Sequence, residues 1–245
     1  MKRSATILMC TMALIFVISG LIFATSGSPF EALPRQLASF SGGSDPTGLA
    51  TIYLRPEHPA MWLMLAALWI AVTLFAARRV WPRKDCPDLD LPDASLMTAA
   101  FAAGAIWPWL SISAPLAGFL LCVLMLLALI AAARRRDSDD RLARHPLLGL
   151  FAGWTTVVTF AAFTSFLTSR TGIPVELATG VAAVLTCAAA IAIQLRIPSN
   201  PAYTITVMFT YLATAATLIE TNPPLSVISV LAIAALTFLL VRVTT

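Results

Sequence analysis

The sequence predicts an all-α fold, a polytopic bundle that crosses a membrane eight times, and three observations support this. First, 59% of the 245 residues are hydrophobic and only 11% are charged, whereas soluble domains carry about 25% charged residues. Second, apolar stretches close to the roughly 20 residues needed to cross a bilayer recur along the chain. Third, lysine and arginine are concentrated between alternate stretches. The bilayer is therefore the first predicted partner.

The eight predicted helices cover about 5–25, 59–77, 94–110, 115–133, 145–168, 174–195, 201–219 and 224–241. The first follows Lys2 and Arg3, and its apolar run is longer than the roughly 7–15 residues of a signal peptide. We therefore expect a retained helix. Residues 26–57, rich in Ser, Gly and Pro, form the longest predicted loop, which we place outside the cytoplasm.

The second helix begins after His58 and ends at Arg78 and Arg79. The run of Pro and Asp that follows it, ending at Asp93, is typical of a solvated linker. In the third helix Pro108 lies between Trp107 and Trp109, where interfacial tryptophans are expected.

The fifth helix has a Gly149–Gly153 pair at the GxxxG spacing that lets helix backbones touch. Helices four, six, seven and eight begin at or beside a proline, a favoured first helical position. On helix seven a stripe of hydroxyls falls on one face, and we expect these side chains to serve packing: Tyr203, Thr206, Thr210, Thr214 and Thr217.

The distribution of positive charge favours this division. With eight helices both termini lie on one side, and that side holds 13 of the 16 Lys and Arg residues. The other three are Arg35, Arg55 and Arg170. The positive-inside rule then predicts cytoplasmic termini, and we expect the inner membrane of a bacterium.

The order of parts resembles the tryptophan-rich sensory protein family (TspO/MBR, translocator-protein-like), in its longer bacterial form with three extra C-terminal helices. The residues that carry the resemblance are Pro59, Trp62, Trp69, Trp107, Pro146, Gly153, Trp154, Asn200 and Tyr203. Two asparagines of the family pattern correspond here to Gly104 and Ala162. The resemblance implies a five-helix core over 1–168 and three additional helices over 169–245.

The resemblance also implies non-covalent binding or sensing of a flat hydrophobic ligand, tetrapyrrole-like, carotenoid-like or otherwise isoprenoid. The candidate ligand residues are Trp62, Trp69, Trp107 and Trp154, because indoles stack on flat rings and offer one N–H. Residues 26–57 would act as a lid. No cofactor is required in this interpretation.

The alternative is a non-catalytic accessory subunit of a larger membrane complex, with a degenerate ligand site. A homodimer is a further possible assembly. For helix packing the candidates are Gly149, Gly153, Thr206, Thr210 and Thr214.

Other functions find little support in the sequence. We expect no enzyme, since no nucleophile–base pair or phosphate-binding motif is present, and no metal site, since cysteines and histidines do not cluster. His58 and His145 are expected to be solvated loop residues. The net charge of +4 lies in loops beside membrane segments, so nucleic acid is not a predicted partner.

Overall fold

The computed structural model describes residues 2–25, 49–56, 58–81, 90–135, 145–197, 200–219 and 222–244. This part of the chain is entirely helical apart from short connections. Its helices are α1 (Lys2–Thr25), α2 (Leu49–Leu54), α3 (Pro59–Val80), α4 (Leu91–Ser113), α5 (Pro115–Arg134), α6 (Pro146–Thr171), α7 (Val175–Arg196), α8 (Pro201–Leu218) and α9 (Pro223–Thr244).

Six helices in the described ranges are long and apolar enough to cross a membrane: α1, α3, α5, α6, α7 and α9. The helix α4 contains Pro92, Asp93 and Pro108, and α8 is rich in threonine. Together the six apolar helices confirm a multi-pass helical membrane protein.

Helix boundaries follow local chemistry. Proline lies in the first turn of α3, α4, α5, α6 and α8, where its missing N–H would have no helical partner anyway. The α4 helix runs through Pro108 to Ser113, beyond its predicted end, and only Ala114 separates it from α5. At the end of α6, Gly172 has φ 66°, a left-handed conformation that glycine adopts without a Cβ clash.

The centre of the bundle is α6. Of its most apolar stretch 83% is buried, against 28–44% for the other five apolar helices. On one side, α6 packs against α2, α3 and α5, and α1 and α4 complete this first group. On the other side, α6 packs against α7 and α8, and α9 packs against these two helices. The α6 helix therefore joins two groups of helices.

A buried ion pair fixes the hairpin of α4 and α5. Asp93, in the first turn of α4, is fully buried, and its Oδ1 lies 2.9 Å from Arg135 Nε just beyond α5. The expectation that Asp93 belongs to a solvated linker was wrong, because the turn between α4 and α5 brings Arg135 back to this end of α4 and pairs it with Asp93.

Candidate ligand site

A small cavity of about 20 Å³ lies where α1, α2, α3, α4 and α6 meet. Trp69 from α3, Trp107 from α4 and Trp154 from α6 all line it. Phe16 and Gly20 of α1 form another wall, and Tyr53 and Leu54 of α2 close it. Three of the four candidate ligand tryptophans therefore come together, from positions up to 85 residues apart in the sequence.

The indole N–H groups of Trp107 and Trp154 are the unusual feature of this cavity. The two side chains are 1% and 4% exposed, and their ring centroids lie 5.9 Å apart in an edge-to-face arrangement. Neither Nε1 has a hydrogen-bond partner within the described ranges. An unsatisfied buried donor costs about 1–3 kcal/mol, so an acceptor that reached either N–H group would be bound favourably. The space admits about one water.

The other two tryptophans near this end have different surroundings. Trp62 packs edge-on against Trp69, with centroids 6.4 Å apart, and does not line the cavity. Trp109 donates its indole N–H to Ser19 Oγ at 2.8 Å, and Ser19 donates in turn to the Ala105 carbonyl. This chain of bonds holds α1 against α4 beside Pro108.

Residues 26–57 were predicted to form a lid. The structure describes only residues 49–56 of this loop, which contain α2, and the rest lies outside the described residues. Tyr53 and Leu54 are 2% and 8% exposed. The Tyr53 hydroxyl lies 2.7 Å from Thr214 Oγ1 on α8. Beyond the end of α2, the Arg55 guanidinium lies over the ring of Phe23 at 5.0 Å, a cation–π contact with α1.

The two positions that lack the asparagines of the family pattern are small and apolar for reasons of packing. A Cβ on Gly104 would lie 2.8 Å from the ring of Phe16, so glycine is what lets that ring reach Phe101 and Phe151. Ala162 is 3% exposed within the core. Neither position supplies a polar anchor for a ligand.

The small pair on α6 faces α8 within the same chain. A Cβ on Gly153 would lie 2.8 Å from the Tyr203 carbonyl oxygen, and a Cβ on Gly149 would clash with the Asn200 side chain. The Asn200 amide donates to the His145 carbonyl at 3.1 Å. This seam is therefore occupied inside the chain and is not open to a partner.

The hydroxyl stripe of α8 bonds its own helix. Thr206, Thr210, Thr214 and Thr217 each donate to the carbonyl four residues earlier.

A second cavity of about 20 Å³, between α2, α6, α7, α8 and α9, is lined by Tyr53, Thr186, Tyr211, Thr214 and Ser229 among others. Tyr53 therefore borders both cavities.

Sequence reasoning missed the role of the two histidines. His58 Nδ1 accepts the N–H of Ala60, and His145 Nδ1 accepts the N–H of Leu147, each at 3.2 Å. Both are N-cap residues rather than solvated loop residues. The signal was the His-Pro pair at each predicted helix start. Burial, and then Arg79 and Arg78, lower the pKa of His145.

No group of His, Cys, Asp or Glu that could hold a metal occurs in the part of the chain that the structure describes. No family model, curated protein or solved structure matches this chain. The resemblance to the tryptophan-rich sensory protein family thus stays a prediction.

Proposed function

We propose that the protein is a non-catalytic membrane protein that binds a flat hydrophobic ligand, tetrapyrrole-like or isoprenoid, in the tryptophan-lined cavity. The observation that supports it is the convergence of Trp69, Trp107 and Trp154 on one cavity, with two buried indole N–H groups that lack an acceptor. Aromatic faces supply stacking, and the donors supply orientation.

We also propose that the chain crosses the membrane eight times, with both termini in the cytoplasm of a bacterium. The α4 and α8 helices have 23 and 18 residues, which at about 1.5 Å per residue is close to the thickness of the hydrocarbon core. Thirteen of the 16 Lys and Arg residues fall on the side of the termini. This excess is obtained only if α4 and α8 are both counted as membrane spans.

Binding in this proposal requires a change of shape. Ligand pockets usually enclose about 300–1,000 Å³, far more than the 20 Å³ present between the tryptophans. The long helices are fixed by extensive packing, whereas α2 has only six residues. We therefore infer that α2 moves away when the ligand enters.

The test uses purified protein in lipid nanodiscs, titrated with a free-base porphyrin and separately with a carotenoid. Saturable quenching of tryptophan fluorescence is expected, and Trp154→Phe should weaken it at least about threefold because the indole donor is lost. Trp81→Phe is the matched control, since Trp81 is 83% exposed and lies outside the cavity lining. Equal weakening by both variants, or no saturable quenching by either compound, would reject ligand binding at this site.

The second candidate function is an accessory subunit of a larger membrane complex. It is favoured by the small size of the cavity, which is too small for a flat ligand without rearrangement. Gentle extraction from native membranes followed by size analysis separates the two functions. A large assembly that contains the chain, combined with no ligand binding, would favour the subunit.

A further inference from the structure

The short helix α2 is attached to both groups of helices. Its Tyr53 and Leu54 line the tryptophan cavity on one side. On the other side the Tyr53 hydroxyl reaches Thr214 of α8, in the wall of the second cavity. Because Tyr53 lines both cavities, its displacement would enlarge both.

The direction of this hydrogen bond follows from its neighbours. Thr214 Oγ1 lies 2.8 Å from the Thr210 carbonyl, which can only accept. Both hydroxyl hydrogens find an acceptor when Thr214 donates to that carbonyl and Tyr53 donates to Thr214. Burial raises the pKa of Tyr53 to about 12, so the hydroxyl keeps its proton near neutral pH. Removing the hydroxyl therefore leaves no donor unsatisfied, and Tyr53→Phe is a clean way to remove the bond.

We propose that the Tyr53–Thr214 hydrogen bond is a latch by which the C-terminal helices control access to the tryptophan cavity. The latch keeps α2 in place over Trp107 and Trp154. A ligand that needs the space of Tyr53 competes with this bond, so loosening it raises ligand affinity. The affinity part of this inference rests on the proposed function, whereas the latch itself does not.

The chain offers a matched control in Tyr203. Its hydroxyl lies 3.0 Å from Thr156 Oγ1, and Thr156 donates to the Ala152 carbonyl. This is the same kind of tyrosine–threonine bond between two helices, equally buried, but Tyr203 lines neither cavity.

The first measurement needs no ligand. Hydrogen exchange of the amides in 49–56 is followed by mass spectrometry for wild type, Tyr53→Phe, Thr214→Val and Tyr203→Phe in nanodiscs. Breaking a buried hydrogen bond between membrane helices raises the population of the opened state a few-fold. The exchange rate of the α2 amides should therefore rise about threefold in Tyr53→Phe and Thr214→Val only. Exchange that is unchanged in Tyr53→Phe, or raised equally in Tyr203→Phe, would overturn the latch.

The second measurement is porphyrin affinity for the same four proteins. The two latch variants should bind about threefold more tightly. A double variant should bind no more tightly than either single one, since both remove the same bond. Faster exchange with unchanged affinity would mean that α2 does not gate the site. If no protein binds porphyrin, the proposed function fails while the exchange result still decides the latch.

Discussion

The two faces of α6 show two different ways of packing helices in a membrane. Toward α1 and α4 the contact is made by large rings: Phe151 stacks on Phe101 with centroids 5.2 Å apart, and Trp154 meets Trp107 edge-on. Toward α8 it is made by Gly149 and Gly153, which let the backbones approach closely. A cavity of about 20 Å³ lies on each side of α6. Within the described ranges, only the cavity beside the aromatic face is lined by tryptophans whose buried N–H groups have no partner.

The difference follows from geometry. Indole rings fill space but each carries one N–H, which stays without a partner when only rings and apolar side chains surround it. Glycine and threonine bring helices together through main-chain contact, and each threonine satisfies its own hydroxyl on the preceding turn. The aromatic face therefore suits ligand binding, and the glycine face suits rigid attachment of the C-terminal helices.

The largest predicted effect concerns the aromatic face. Phe151→Ala removes a fully buried ring and should destabilise the protein by about 2–4 kcal/mol, because the neighbouring rings lose packing and a void remains. Thermal unfolding in detergent measures this. Phe238→Ala, at a ring that is 73% exposed on α9, should change little. Similar losses from the two variants would contradict the central role of the aromatic cluster.

The glycine face should be sensitive to a single methyl group. Gly153→Ala places a Cβ 2.8 Å from the Tyr203 carbonyl oxygen and should cost about 1–3 kcal/mol through overpacking. Gly180→Ala is the control, since its nearest neighbour would be the end of Ile228 at 3.8 Å; alanine there should be neutral or stabilising by up to about 1 kcal/mol. If Gly153→Ala were as well tolerated, the close contact between α6 and α8 would be disproved.

The hydroxyls on the glycine face should contribute less to the free energy of unfolding than the glycines do. Tyr203→Phe removes the bond to Thr156 without changing the ring, and hydrogen bonds between membrane helices average about 0.6 kcal/mol. We expect a loss of that order in unfolding free energy. A loss larger than that of Gly153→Ala would reverse the ranking of backbone contact over side-chain bonding.

The smallest effect on stability is expected at His145, the N-cap of α6, where the aromatic face and the glycine face begin. Its ring packs edge-on against Phe75 on one side, and its carbonyl accepts from Asn200 on the other. Since the folded state lowers its pKa from 6.5, the unfolded chain binds more protons near that pH. The stabilisation is present above pH 6.5 and is lost as pH falls below it. Because the ring is partly exposed, solvent screening keeps this contribution small.

His145→Asn keeps an N-cap side chain and removes the titration. The melting temperature of wild type should fall more than that of the variant between about pH 7.5 and 5.5. Parallel curves would show that His145 does not contribute to this pH dependence.

The sequence by itself determined the parts that depend on local pattern. Apolar length identified the six apolar membrane helices, and proline marked the start of most of them within a few residues, because solvation by lipid and the missing proline N–H act on each segment separately. The sequence also singled out Trp69, Trp107 and Trp154 as candidates, although it could not separate them from Trp62.

Only the tertiary structure decided which side chains meet. The pairing of Asp93 with Arg135, the contact of Gly153 with Tyr203, and the bond from Tyr53 to Thr214, 161 residues away, join distant segments. So does the meeting of Trp107 and Trp154 at one cavity. Lipid surrounds every helix alike and offers no hydrophobic preference between partners, so the detailed fit of side chains selects the neighbours.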